Sequence, residues 1–575
     1  MNIDFRKTKL FLSFKLRRIL KILSFIFDYL RNFCTKLVRA YKILSIWEKR
    51  ILIIFSIIFL IALGFLVRKI YYQNTVSGPV PGGKITIAEV GEPGSLNPIF
   101  AKTSQDQDLT NLLFSGMFYF NEKGELMPDL ISSYEVAPDN KTYTFKIINA
   151  EWHDGVKVTT DDFIFTASLI ADENYNGPLK GLFSNVILER VDDSTFKIIL
   201  AEPYAPFLSH LTFGILPSHL LANVPLQEIE KSDFNTSPIG SGPYKFKSSN
   251  LTGKTKQITL ERNNHYPNKK RIPFINDICF QYYSDFGKAF KAYRNGEVSF
   301  LADVPHQYFQ DAKRIKDLNL YKITSSNYLA LFFNLAQQPL KNRAVREAIA
   351  RGINKKEIID NAFSGQGEDL VGPILPEFIG YTNEVKIYSY DLQTAKNLLE
   401  KAGYPKLELN LVTSDSPDYL KVAEIISNQL SQIGIKINIS SFDTLTLQTD
   451  YIAPRKYDLL LLGENLGPDP DPYAYWHSSQ IGSNKFNFSQ FSNKDVDKLI
   501  ETARITNDNN LRKTNYERFQ KIITEELPAI FLFRPLYYFG LNSSIKGASD
   551  IRTISTADKF YQVNRWYLKI GRTKK

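Results

Sequence analysis

The side chains that most often carry chemistry are few and scattered. His153, His210, His219, His265, His306 and His477 have no metal-ligand spacing to one another. Cys34 and Cys279 stand on opposite sides of a long apolar run, so neither a disulfide nor a cysteine-based metal site is expected. The patterns G-x-S-x-G, H-E-x-x-H and the phosphate loop do not occur; they would place a nucleophile, a zinc pair or a phosphate cradle. These residue types therefore point to no catalytic centre, metal or cofactor. Aromatics are plentiful instead, with 31 Tyr, 41 Phe and 4 Trp. Such rings supply large rigid contact surfaces and suit a broad ligand cleft, although compositional drift produces the same abundance.

The elements that must position any site begin with the distribution of charge. The net charge of +11 invites a nucleic-acid reading, but residues 1–50 hold thirteen Lys and Arg against only Asp4, Asp28 and Glu48. Beyond residue 70 the chain is close to neutral, without the basic footprint of a nucleic-acid binder. Ile51 to Val67 is free of charge and reaches about 25 Å as a helix, enough to span a bilayer. Trp47, Tyr71 and Tyr72 flank it as interfacial aromatics do. The basic segment should stay in the cytoplasm, which puts residues 71–575 on the outer side of the plasma membrane. Arg68-Lys-Ile-Tyr-Tyr72 follows the run without a small-residue cleavage site or a lipoprotein cysteine, so an uncleaved anchor is expected. Residues 9–46 mix apolar side chains with Lys15, Arg17, Arg18, Lys21, Arg31 and Lys36. That pattern suits either an amphipathic helix on anionic lipid or a long basic leader.

At 575 residues the chain exceeds one core, and several domains follow. Gln73 to Gly83 is small, polar and Pro/Gly-rich and reads as a tether. Strands are expected at 84–88, 143–150, 195–201, 256–262 and 278–283. From about 340 the pattern changes. Val345, Ile349 and Ile353 recur at helical spacing, Asn354 to Glu357 has capping-box spacing, and Asp391 caps a further helix that Gly403 stops. A helix over 420–433 then leads past Gly434 into a strand at 435–439, and 456–462 reads as a buried strand. Helix-then-strand alternation argues for an α/β lobe with a mostly parallel sheet. Thr160 or Asp161 is placed to cap a helix, while Gly240, Gly242 and Pro243 force a bend. Arg346 reads as an interlobe or surface ion pair.

Several segments, taken in order, resemble the extracellular solute-binding proteins of family 5, the peptide- and nickel-binding components of ABC importers. They are Gly91–Pro98, Leu126-Met-Pro-Asp-Leu130, Ser133-Tyr-Glu135, Tyr143-Thr-Phe-Lys146, Trp152-His-Asp-Gly155, Thr160-Asp-Asp-Phe163, Pro238–Tyr244 and Phe333-Asn334 through Val345-Arg346 to Ile349. The resemblance implies an α/β, two-lobed, periplasmic-binding-protein-like (type II) clamp behind a single transmembrane helix, closing on ligand by hinge motion. The implied division is 1–50 cytoplasmic, 51–70 anchor, 71–83 linker, 84–327 plus 536–575 as lobe 1, and 328–535 as lobe 2. Crossovers near Ser325-Ser326 and Phe533-Arg534-Pro535 form the hinge.

In peptide-binding members an acidic residue after a buried strand holds the peptide's α-ammonium. The resemblance places Glu464 nearest that position, where the family usually has Asp, with Asp469 and Asp471 following in a Pro-rich loop. Tyr473, Tyr475 and Trp476 would line side-chain pockets. The loop carrying Glu92, Ser95 and Asn97 would wall the cleft on lobe 1, its backbone pairing with an extended peptide. The implied partners are a peptide, the permease subunits of an ABC importer and the bilayer, with a monomeric chain and no nucleic acid. The same resemblance admits a peptide or pheromone sensor, or a binder of another solute such as a nickel chelate.

Overall fold

The computed structural model describes Lys36 and residues 43–121, 123–253 and 255–574. Most of the basic N-terminal segment, with Cys34, lies outside the described residues. The chain divides into two compact units, one holding the residues up to Gly78 with those from Ile570 onward, the other Pro79–Lys569.

In the first unit, Ile46–Asn74 is a single helix. Ser45 opens it with a reciprocal capping box. Ser45 Oγ accepts from Glu48 N at 3.4 Å, and the Glu48 carboxylate accepts from Ser45 N at 2.8 Å. None of its residues is buried, and its mean hydropathy reaches 2.8, so it is long and apolar enough to cross a membrane. The expected tether is different in the structure. Asn74 closes the helix and Thr75–Val80 is a strand paired with Lys569–Lys574. Arg572 secures this junction, donating to Thr75 Oγ1 at 2.8 Å, Thr75 O at 2.7 Å and Tyr72 O at 3.1 Å. Local composition could not reveal a ladder partner at the opposite end of the chain.

The second unit contains an eight-stranded sheet. Its order is Ile551–Arg552, Leu318–Thr324, Tyr537–Asn542, Phe300–Leu301, Lys84–Val90, Asp277–Tyr283, Lys256–Arg262 and Tyr244–Asn250. Lys84–Val90 lies inside it, parallel to both neighbours. Ile85 and Ile87 enter a core shared with Phe145 and Phe196 of a separate four-stranded antiparallel sheet. The strands expected at 84–88, 143–150, 195–201, 256–262 and 278–283 are all present.

A six-stranded sheet has the order Gly367–Asp369, Ala529–Pro535, Asn327–Phe333, Leu459–Asn465, Leu407–Ser414 and Ile435–Phe442. Its strands are buried on both faces, and their alternation shows it. Leu329, Leu331 and Phe333 join one core, whereas Tyr328, Ala330 and Phe332 join the other. The sheet is mixed rather than mostly parallel: Leu407–Ser414 is parallel to both of its neighbours, but the other three pairings are antiparallel. The strand–helix–strand unit over 407–442 has the anticipated crossover. The entering strand Asn327–Phe333 and the edge strand Gly367–Asp369 run the other way, whereas the leaving strand Ala529–Pro535 runs with the parallel set.

Local signals held where a side chain met its own helix. Asn342 and Asp391 accept from Ala344 N and Thr394 N as N-caps. Asn354 accepts from Glu357 N, but Glu357 does not complete the box; Gln429 donates to its carboxylate at 2.9 Å and accepts from Asn354 N at 3.0 Å. Other expectations are corrected by tertiary partners. The helix Thr160–Ala171 is capped one residue earlier, at Thr159, whose N–H donates to Asp162 at 2.8 Å. The strand expected at 456–462 begins at Leu459 and extends to Asn465 along Asn327–Phe333. Gly240 and Gly242 answer to close approach rather than to a bend. A Cβ on them would lie 1.9 Å from Leu113 O and 2.5 Å from Leu112 O. Arg346 makes no surface or interlobe ion pair; it is buried and donates to Glu526 O and Leu527 O at the end of the helix Asn509–Glu526 and to Leu340 O and Lys341 O at the end of the short helix Gln338–Lys341.

Candidate ligand-binding site

Glu464 stands near the end of Leu459–Asn465, opposite Tyr328 on the adjacent strand. Tyr328 Oη donates to Glu464 Oε2, while Oε1 is buried without a partner. The residue is 1% exposed. Burial raises its carboxyl to about 8, and the Tyr328 hydrogen bond opposes that only in part. Tyr475 approaches the same carboxylate and packs on Phe486 and Phe488. Trp476 is buried in the core, wedged between Phe332 and Phe531.

The two aspartates of the following loop have other partners. Arg512 Nη2 bonds both Asp469 oxygens, at 2.7 and 2.8 Å. Arg504 Nε lies 3.5 Å from Asp471 Oδ2, and Asp471 also accepts from Tyr473 N at 3.1 Å. Burial raises Asp471's carboxyl, with Arg504 opposing the rise. Arg504 is held between two rings, 4.2 Å from Tyr473 and 4.9 Å from Tyr204, which precedes the turn Ala205–His210. Tyr204 in turn hydrogen-bonds His210 at 3.2 Å. A cavity of about 250 Å³ opens beside this cluster, lined by Thr110, Asn111, Phe114 and His210 on one side and Pro468 on the other.

The loop carrying Glu92, Ser95 and Asn97 does not present a free backbone edge. Asp106 accepts from Gly94 N and Ser95 N at 2.7 and 3.1 Å and also from Lys102 N and Thr103 N. Leu96 N donates to Asn235 O, and Asn97 N to Ser95 Oγ. Asn97 is fully buried, its side chain bonding Asn235 Oδ1 and Ile99 N. Glu92 pairs with Lys256 at 2.6 Å on the surface. The expected strand addition at this loop is therefore not met, because its amides already have internal acceptors.

The structure thus separates eight of the nine expected site residues into three groups: Glu464 with Tyr475, the arginine-bound Asp469, Asp471 and Tyr473, and the self-bonded N-terminal loop; the ninth, Trp476, lies apart in the core. Sequence reasoning missed Arg504, Arg512, Tyr204 and Tyr328. Both arginines lie on amphipathic helices where a basic residue reads as a solvated face, and no local signal marks them.

The model of the bacterial extracellular solute-binding proteins, family 5, matches residues 125–486. The oligopeptide-binding protein AppA of Bacillus subtilis (strain 168) is 24% identical over 86% of this chain and 93% of its own. Among solved structures, the ABC transporter substrate-binding protein CtaP of Listeria monocytogenes is 27% identical over 85% of this chain and 99% of its own, with a TM-score of 0.75. NikZ of Campylobacter jejuni, in complex with Ni(L-His), is 27% identical over 84% of this chain and 99% of its own, with a TM-score of 0.68. The fold is the two-lobed type II clamp of periplasmic binding proteins. The chain belongs to the bacterial extracellular solute-binding proteins, family 5.

Proposed function

We propose that this chain is the capture component of an ABC importer, not an enzyme, and that it takes peptides and passes them to the permease as a single copy. AppA of Bacillus subtilis is an oligopeptide-binding protein, and a dipeptide-binding protein of Escherichia coli is 25% identical over 82% of this chain. The helix Ile46–Asn74 is the proposed membrane anchor, with the basic segment inside and the clamp outside. Lobe 1 is 84–327 plus 536–575 and lobe 2 is 328–535. Sheet membership supports this division, since the eight-stranded sheet recovers Tyr537–Asn542 after the chain leaves the six-stranded one at Pro535. The proposed hinge is the pair of crossovers at 325–326 and 533–535.

One observation carries the site. Of the three carboxylates between residues 464 and 471, only Glu464 lacks a cationic partner, and its Oε1 is buried and unbonded. A peptide ammonium would supply that missing charge-assisted bond as the lobes close. Glu464→Gln in the detergent-solubilised full chain should weaken peptide binding by about thirtyfold or more. N-acetylating the peptide should cost the wild type a similar factor and the mutant little. Equal binding of free and acetylated peptides to the wild type would sink the anchor and move the ligand to another solute class, with Ni(L-His) the first to titrate.

A further inference from the structure

A second cavity, of about 260 Å³, lies against the eight-stranded sheet, and its wall is acidic. Glu89, Asp108 and Asp303 face it together with a single amine, that of Lys559. Each comes from a different element. Glu89 is near the end of Lys84–Val90, Asp108 is on the helix Ser104–Leu113, Asp303 follows Phe300–Leu301, and Lys559 lies in the turn Thr556–Arg565. Lys559 Nζ bonds both oxygens of Asp108, at 2.7 and 2.5 Å, and is thereby committed. Glu89 is 5% exposed, and its Oε2 has no hydrogen-bond partner. The hydroxyl of Tyr282, directly across the ladder from Glu89, is also unpartnered. Asp303 is open to solvent.

A buried carboxyl oxygen without a donor is costly, and three carboxyl groups around one ammonium leave room for a second positive charge. Burial, then the charge of Asp108, holds the Glu89 carboxyl well above the usual carboxylate range. Burial also lifts Asp108 to about 6, against the pull of Lys559. The other charged or titratable groups acting on the cluster are Asp106, Cys279, His306 and the Tyr282 and Tyr537 hydroxyls. We propose that this cavity is a subsite for a primary ammonium group, bound between Glu89 and Asp303. Tyr537, the second residue past the end of Ala529–Pro535, lines the same cavity and accepts from Asn327 Nδ2 at 3.0 Å. An occupant would thus lie against the connections between the two large sheets.

The subsite is tested without reliance on peptide capture, using small probes on the full chain in detergent. Nα-acetyl-lysinamide carries only a side-chain ammonium, alaninamide only an α-ammonium, and Nα-acetylnorleucinamide neither. By calorimetry, at least one ammonium probe should bind and the norleucine compound should not, which also identifies the source of the charge. Glu89→Gln and Asp303→Asn should each lower that affinity by about tenfold or more, and Glu408→Gln, a distant surface change, should not. Lys559→Met, which removes the resident cation, should raise it. Affinity should also climb with pH in the wild type, because a protonated Glu89 must ionise to hold a cation, and that climb should flatten in Glu89→Gln. Failure of both ammonium probes to bind, or equal binding by wild type, Glu89→Gln and Asp303→Asn, would overturn the proposal; the Glu464 reading is judged separately, by the loss of peptide binding in Glu464→Gln.

Discussion

Glu464 and the pair Asp469 and Asp471 are separated by only a few residues, yet the structure treats them in opposite ways. Glu464 ends a central strand, where both faces of the sheet are covered and the nearest polar group is a phenol. Asp469 and Asp471 sit in a Pro-rich loop that folds back onto the helices Lys494–Ile505 and Asn509–Glu526, each meeting an arginine. Burial without a counter-charge leaves an acid mostly protonated at neutral pH, with room for a cation to draw off its proton. Burial against a guanidinium leaves it already committed to a cation. The loop aspartates therefore tie their loop to two helices, and Glu464 alone of the three keeps an unbonded buried oxygen.

Breaking the committed side should have the largest effect. Arg512→Ala strands the Asp469 carboxylate against a mostly buried partner site, and the cost should be about 3 kcal/mol in denaturant unfolding. Replacing both members, as Asp469→Asn with Arg512→Met, should recover much of it. A double mutant as unstable as the sum of its parts would deny that the pair acts as a unit.

The uncommitted side should reveal itself through pH. Glu464 has its folded-state carboxyl raised to about 8 from the ordinary value of 4.5. The folded protein therefore holds this proton across that window while the unfolded chain has released it. Its contribution to stability should be fully present below about pH 4.5 and should fade as pH rises to about 8, by up to about 1.4 kcal/mol per pH unit. Glu464→Gln cannot ionise. Its stability relative to the wild type should improve steadily between pH 5.5 and 8 in paired urea titrations, and parallel curves would mean that Glu464 ionises as freely as a surface acid.

The same contrast explains what could be read from the sequence. Continuous apolar runs marked the doubly covered strands, and caps such as Asn354 and Asp391 marked helix starts, because each signal and its partner lie within a few residues. The carboxylates of the site were legible as a group, but their division was not. Asp469 is distinguished from Glu464 by an arginine some forty residues downstream, and the loop at Glu92–Asn97 is closed by Asp106 and Asn235. The strand at Thr75–Val80 and the antiparallel share of the six-stranded sheet depend on pairing with distant segments in the same way. Local pattern gives the elements; long-range pairing decides which polar groups remain free.

Within the committed pair, Asp471 should matter less than Asp469. Its contact with Arg504 is single and 3.5 Å long, against two short bonds from Arg512. Asp471→Asn should cost about 1 kcal/mol, and Arg504, still held between Tyr204 and Tyr473, should keep its place. A loss as large as that of Arg512→Ala would show that Asp471, not Asp469, organises the loop.

The smallest effect belongs to Glu92, a third kind of carboxylate. It is solvent-exposed and paired with Lys256 at 2.6 Å across the surface, where water screens the charges and two flexible side chains must be held in place. Glu92→Gln should change stability by less than about 0.5 kcal/mol. Because the amides of its loop are already bonded to Asp106 and Asn235, the same mutation should leave peptide affinity unchanged within about twofold. A drop comparable to that of Glu464→Gln would place Glu92 on the ligand. The N-terminal loop would then have to release its internal hydrogen bonds when peptide binds, and amide exchange at Gly94 and Ser95 would have to speed up on binding for that account to stand.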